Sequence, residues 1–177
     1  MRSIFTGRER SKSTRGFSLL EMLIAMVVLL VGIVSVVQLV PAALQSNQNN
    51  RQDTTATVVA QRELDQILNQ PIQNTSFTDA DGRTIELGDP TQNNVVVGAP
   101  VISGTATIDF TKPAVVGYNF TYVDPNIPAS ANYEVRWAIV TTTNAGSPVS
   151  KRIIIGCWHR NPHQFTQPVN IDTTVQK

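Results

Sequence analysis

The stretch Arg15-Gly16-Phe17-Ser18-Leu19-Leu20-Glu21-Met22-Leu23-Ile24-Ala25 decides how the N-terminal quarter of this chain folds. It opens an apolar run from Phe17 to Val40 in which Glu21 is the only charged residue. The run exceeds the ~20 residues that a helix needs to cross the core of a bilayer. A carboxylate inside such a span costs roughly 2.5–3.5 kcal/mol and usually has a function. Glu21 is therefore a candidate functional residue.

A short basic segment precedes the apolar run. Its one acidic residue is Glu9. Its five basic residues are Arg2, Arg8, Arg10, Lys12 and Arg15. The positive-inside rule keeps this end in the cytoplasm and sends the rest of the chain out. The run is also longer than the ~7–15 apolar residues of an ordinary secretory signal. The sequence therefore predicts a single-pass membrane anchor with its C-terminal domain outside.

Residues 2–44 resemble the N-terminus of the type IV prepilin family, which includes the pseudopilins of secretion and DNA-uptake machines. In that family a membrane peptidase cleaves after the glycine that ends the leader. The new N-terminal phenylalanine is N-methylated, and a glutamate stands at the fifth position after the cut. Gly16, Phe17 and Glu21 occupy these places. The resemblance implies cleavage between Gly16 and Phe17, N-methylation of Phe17, and a role for Glu21 in assembly or register.

The charges in this arrangement suggest how subunits would assemble. Cleavage frees the amino group of Phe17, about one helical turn from Glu21. In a bundle of parallel helices, Glu21 of one subunit can meet the Phe17 ammonium of its neighbour, and each then neutralises a charge that is costly in hydrocarbon. The expected partners are prepilin peptidase, other major and minor pilins, an inner-membrane assembly platform and the membrane itself. The expected location is the inner membrane and then the pilus at the cell surface.

The helical pattern continues beyond the membrane run. Apolar residues recur at spacings of three and four, and they are Leu44, Ala56, Val59, Ala60, Leu64, Ile67 and Leu68. We expect one helix over 17–69, bent at Pro41 and ended by Asn69 and Pro71. The predicted organisation is a cleaved leader (1–16), a transmembrane or filament-core helix (17–44) and an external domain (45–177).

The remainder of the chain predicts a small antiparallel sheet. Residues 72–104 are rich in turn-forming residues and predict a long loop, with a short strand at Val95–Val97. Strands are expected at 106–110, 118–123, 133–142 and 152–159, and the last two are joined by a hairpin loop over 144–148. A long N-terminal helix packed on this sheet gives an α+β fold. The final hairpin is similar to the closing hairpin of PilV-like minor pilins.

Composition and motifs exclude several other classes. The part after Gly16 has nine basic and twelve acidic residues, which argues against a general nucleic-acid interface. No catalytic motif is present, so we expect no enzyme and no cofactor. Cys157 is the only cysteine. With His159 and His163 it lacks a fourth zinc ligand, so we predict no metal site but a buried thiol and solvated histidines. Asp79–Gly82 predicts a turn.

Two functional classes remain. The first is a structural subunit, namely a minor type IV pilin that helps to initiate or cap a pilus. A minor pseudopilin of type II secretion or of DNA uptake is its alternative, because the N-terminal chemistry is shared. The second class is an unprocessed, membrane-anchored ectodomain with a binding or enzymatic task of its own.

Overall fold

The computed structural model describes residues 16–124, 132–160 and 167–176. In these residues one long helix is followed by seven strands, which confirms the predicted α+β class. The chain divides into two compact units, Met1–Ser46 and Asn47–Lys177. The helix α1 (Leu19–Leu68) contributes its first part to one unit and its second part to the other.

In the first unit α1 has no cover from the described chain. Its large apolar side chains from Leu19 to Val40 are between 52% and 86% exposed. The helix is long and apolar enough to cross a membrane. It continues as helix through Pro41, and the predicted bend there stays a prediction. Leu44 is also exposed, so it does not belong to the buried stripe in which the sequence pattern placed it.

In the second unit α1 is amphipathic, as predicted. Its buried apolar residues are Ala56, Val59, Ala60, Leu64 and Ile67. They pack in one core cluster with Trp137 and Ile155 of the sheet. This helix face was predictable because its apolar residues repeat with the helical period of 3.6 residues among polar neighbours.

Two antiparallel sheets follow the helix. Strands β1 (Ser76–Thr78) and β2 (Thr84–Glu86) form a two-stranded hairpin. The larger sheet has the order β3-β5-β6-β7, and β4 also pairs with β5. Its strands are β3 (Val96–Gly98), β4 (Asn119–Val123), β5 (Asn132–Asn144), β6 (Ser147–Arg160) and β7 (Val169–Gln176).

Strand β5 is covered on both faces. Tyr133, Val135, Trp137 and Ile139 share the core cluster with α1, as their alternation predicts. On the opposite face a second cluster joins Ala138 and Ile154 to Ala99, Ile108 and Phe110 of the preceding loop. The sheet is therefore a middle layer between α1 and that loop.

Three predictions about strands need correction. The strand expected at Ala106–Phe110 is absent, and an isolated bridge joins Ile108 to Val101 instead. Ile108 and Phe110 lie against the bare backbone of Gly156, and the Ile108 N–H donates to Asn170 Oδ1 at 2.9 Å. Residues 106–110 therefore pack on the face of the sheet and do not pair along its edge.

The other two corrections concern strands that the sequence analysis missed. The predicted loop 72–104 holds the β1–β2 hairpin as well as a strand close to the one expected at Val95–Val97. Strand β7 was not predicted because its alternation is mostly polar, and it forms by pairing with β6. The predicted turn at Asp79–Gly82 is confirmed: the Gly82 N–H donates to the Asp79 carbonyl at 3.1 Å. The hairpin between β5 and β6 is also confirmed, with Ala145 and Gly146 as its two loop residues.

Candidate processing and assembly site

The predicted cleavage junction lies just before α1. Phe17 is 81% exposed, and Gly16 is exposed as well. A Cβ built on Gly16 would meet no atom within 4 Å, and its backbone is not in the left-handed region. The described fold therefore does not itself require glycine at this position. Residues 1–15 of the leader lie outside the described residues.

Ser18 caps the start of α1. Its Oγ accepts a hydrogen bond from the Glu21 N–H at 3.2 Å, and its carbonyl oxygen accepts from the Met22 N–H at 3.2 Å. These bonds satisfy backbone donors that a helix start leaves without intrahelical partners. This role of Ser18 was not predicted, although Ser18-x-x-Glu21 has the spacing of a capping box.

Glu21 lies in the first turn of α1. A negative charge there is favoured by the helix dipole, by about 0.3–1 kcal/mol. Its side chain is exposed and forms no ion pair with any residue that the structure describes. The next charged residue along the chain is Arg51. The described chain therefore leaves this carboxylate available for a group outside it.

The cysteine and histidine of β6 are core residues. Cys157 is fully buried, and burial raises the pKa of its thiol to about 12. His159 is 4% exposed and lies 4.8 Å from the ring of Tyr133, measured between centroids. Burial lowers its pKa. The prediction of a solvated histidine is therefore wrong for His159, because its strand position faces α1, and His163 lies outside the described residues.

Comparison with known proteins bears on the N-terminal segment. A family model described as the prokaryotic N-terminal methylation motif matches residues 11–37. The matched range includes Gly16, Phe17 and Glu21. Searches of curated proteins and of solved structures found no match.

The chain thus carries the type IV prepilin signature, which is shared by pilins and pseudopilins. This motif implies processing by prepilin peptidase. Together with the exposed apolar part of α1, it indicates membrane anchoring. The signature and the α+β fold together support a pilin or a pseudopilin.

Proposed function

We propose that this chain is a minor type IV pilin, a structural subunit rather than an enzyme. Prepilin peptidase removes residues 1–16, Phe17 becomes the N-methylated N-terminus, and the subunit joins a pilus whose assembly it helps to initiate or cap. The observation that carries the proposal is the methylation motif over 11–37, which includes the start of α1, where the exposed apolar segment carries Glu21 as its one carboxylate.

Two features of the junction support processing there. The described fold does not require a glycine at position 16, and a peptidase that approaches the backbone closely would give a reason for glycine there. The chain before α1 is exposed at Gly16 and Phe17, as a cleavable segment must be.

The position of Glu21 supports a role in assembly. After cleavage the Phe17 ammonium and the Glu21 carboxylate both lie in an apolar span, and a neighbouring subunit can supply each with its counter-ion. Leaving one of two paired buried charges alone typically costs ~3–5 kcal/mol. Such a pair would fix the axial register of neighbouring helices, as a buried polar residue does in a coiled coil.

A minor pseudopilin of a secretion or DNA-uptake system is the second candidate, because the matched motif is common to both groups. The test is to shear surface filaments from cells with and without prepilin peptidase and to quantify this chain. A minor pilin is expected in the sheared filaments at low abundance only when the peptidase is present. A processed chain that stays wholly with the membrane favours the pseudopilin. An unprocessed chain in peptidase-positive cells contradicts both and favours an independent ectodomain.

A further inference from the structure

A cleft in the second unit contains a buried carboxylate with an unused acceptor. The cleft measures about 120 Å³ and lies between the second half of α1 and strand β4, with Val58, Glu63, Phe120 and Tyr122 among its lining residues. Glu63 is 2% exposed. Its Oε1 atom is buried and finds no hydrogen-bond donor among the described residues. An unpaired acceptor of this kind is costly inside a fold, because it has lost water and gained nothing in exchange.

The charged neighbours of Glu63 are already committed to each other. Arg83 donates from Nε to Asp79 Oδ2 at 2.6 Å and from Nη2 to Asp81 Oδ2 at 2.7 Å. Its guanidinium also lies 3.7 Å above the centre of the Phe120 ring. What remains for Glu63 Oε2 is a distant ion pair with Arg83 at 3.9 Å and a hydrogen bond from Gln66 at 3.5 Å.

When all three of its carboxyl groups are ionised, this cluster lacks one cation. Its acidic members are Glu63, Asp79 and Asp81, and its basic members are Arg62 and Arg83. Arg62 is occupied by Asp81 at 3.0 Å. Burial by itself would raise the pKa of Asp79, but hydrogen bonds from Arg83 outweigh burial and hold that pKa below its usual value. Asp79 therefore keeps its charge, and Glu63 is the carboxylate that lacks a close cation whenever it is ionised.

We propose that this cleft receives a lysine side chain from a neighbouring pilin subunit, with Glu63 as the counter-ion of its ammonium. The proposal rests on the proposed function, because it requires a neighbour in a filament. A lysine matches the mixed lining of the cleft: its methylene stem can lie on Val58 and Tyr122, while its ammonium faces the Glu63 carboxylate. Val58 is 56% exposed and thus offers apolar surface for that stem.

The state of Glu63 without an occupant gives the proposal a distinctive signature. Burial and the nearby Asp79 raise its pKa to about 7, against the opposing effect of Arg83 and Arg62. An ammonium binds the ionised form, so binding must release a proton wherever Glu63 is still protonated. Binding is therefore expected to tighten roughly tenfold between pH 6 and pH 8, in proportion to the ionised fraction.

The first test uses n-butylammonium as the probe and the full chain in detergent micelles. Nuclear magnetic resonance is used to follow the Glu63 carboxyl carbon and the signals of Val58 and Tyr122. Saturable shifts that tighten about tenfold from pH 6 to pH 8 are expected for the wild type and for the control Asp65→Asn, which alters an exposed carboxylate on the same helix. Glu63→Gln should abolish them. Equal shifts in Glu63→Gln, equal shifts with n-butanol, or no shifts at all would overturn the proposal.

The second test identifies the occupant in assembled filaments. A photo-cross-linking amino acid at Thr54, which is exposed one turn before Val58, is expected to capture a lysine-containing peptide of another pilin subunit. The cross-link should be lost in Glu63→Gln and retained in Asp65→Asn. A processed, filament-recovered chain without that cross-link overturns this inference alone. A chain that is never processed overturns the proposed function, and this inference with it.

Discussion

Two carboxylates on α1 lie where a charge is disfavoured, and the cause differs between them. Glu21 is exposed on the helix itself, but the helix belongs in an apolar phase. Glu63 is buried among groups that already neutralise one another. The first is expected to be compensated by a neighbouring N-terminus and the second by a neighbouring side chain.

For Glu21, removal of the charge should impair assembly and spare membrane insertion. Glu21→Gln keeps the size of the side chain but leaves the neighbour's Phe17 ammonium unpaired, a loss of ~3–5 kcal/mol. We expect recovery in sheared filaments to fall at least tenfold while processing continues.

Ser18→Ala is the matched control for Glu21→Gln. It removes the cap, at a cost of about 1 kcal/mol, and keeps the carboxylate. Recovery of Glu21→Gln equal to that of the wild type, with processing intact in both, would rule out Glu21 as an assembly residue.

For Glu63, stability should depend on pH in a defined direction. Its pKa is about 7 in the folded chain against an ordinary value of 4.5. The contribution of Glu63 to stability is therefore fully present below about pH 4.5 and is lost as the pH rises through about 7. Below about pH 4.5 the free energies of unfolding of Glu63→Gln and the wild type should change with pH in the same way. Between there and pH 8 the variant should gain up to about 3 kcal/mol of stability relative to the wild type.

Denaturant unfolding at a series of pH values measures this difference. Asp65→Asn should show no comparable pH-dependent gain, because Asp65 is exposed. A constant difference between Glu63→Gln and the wild type from pH 5 to pH 8 would show that Glu63 is not titrating as the structure indicates.

At the scale of elements, the β5–β6 hairpin carries an identifiable local strain. Ala145 and Gly146 form its two-residue loop with φ angles of 49° and 79°. Both angles are left-handed, as a type I′ turn requires, and such turns favour Asn-Gly. Alanine at the first position costs about 1–2 kcal/mol in this conformation.

Ala145→Asn should therefore stabilise the hairpin, by about 0.5–1 kcal/mol, since asparagine tolerates the left-handed region better. Gly146→Ala is the opposite control: its new Cβ would meet nothing within 4 Å, so any loss reflects backbone conformation alone. The measurement is the free energy of unfolding from denaturant titration. Destabilisation by Ala145→Asn would contradict the turn assignment.

The elements also show what the sequence could and could not predict. The alternation of β5 and the period of α1 are carried by the apolar residues themselves, so both were predictable. Strand β7 is mostly polar and forms by pairing with β6, whereas β1 and β2 of the small hairpin have three residues each, too few for an alternation to be recognised. The burial of Glu63 depends on that hairpin, because Asp79 and Arg83 flank it in space, so no local pattern could reveal it.

At the scale of the whole molecule, the division into two units predicts that the second unit folds by itself. The unit Asn47–Lys177 contains both core clusters of the described residues. A fragment beginning at Gln45 should be soluble, monomeric and cooperatively folded, with both helix and sheet. Circular dichroism and thermal unfolding check this, and a fragment that aggregates or stays uniformly unfolded would contradict the core described above.

The candidate site, in contrast, is inferred almost entirely from the sequence. The roles proposed for Gly16, Phe17 and Glu21 depend on their order along the chain and on the apolar run in which they lie, and neither depends on tertiary packing. The structure added the Ser18 cap and showed that the described fold itself does not require glycine at position 16. Peptidase recognition then becomes the simplest reason for that glycine.

The central claim is that the mature chain begins at an N-methylated Phe17, and intact-mass spectrometry of the membrane-extracted protein tests it most directly. In cells with active prepilin peptidase, we expect the mass of residues 17–177 plus one methyl group, and fragmentation should place that group on the N-terminal amine. Gly16→Leu should leave the full precursor. A wild-type chain that retains residues 1–16 in those cells would contradict the account.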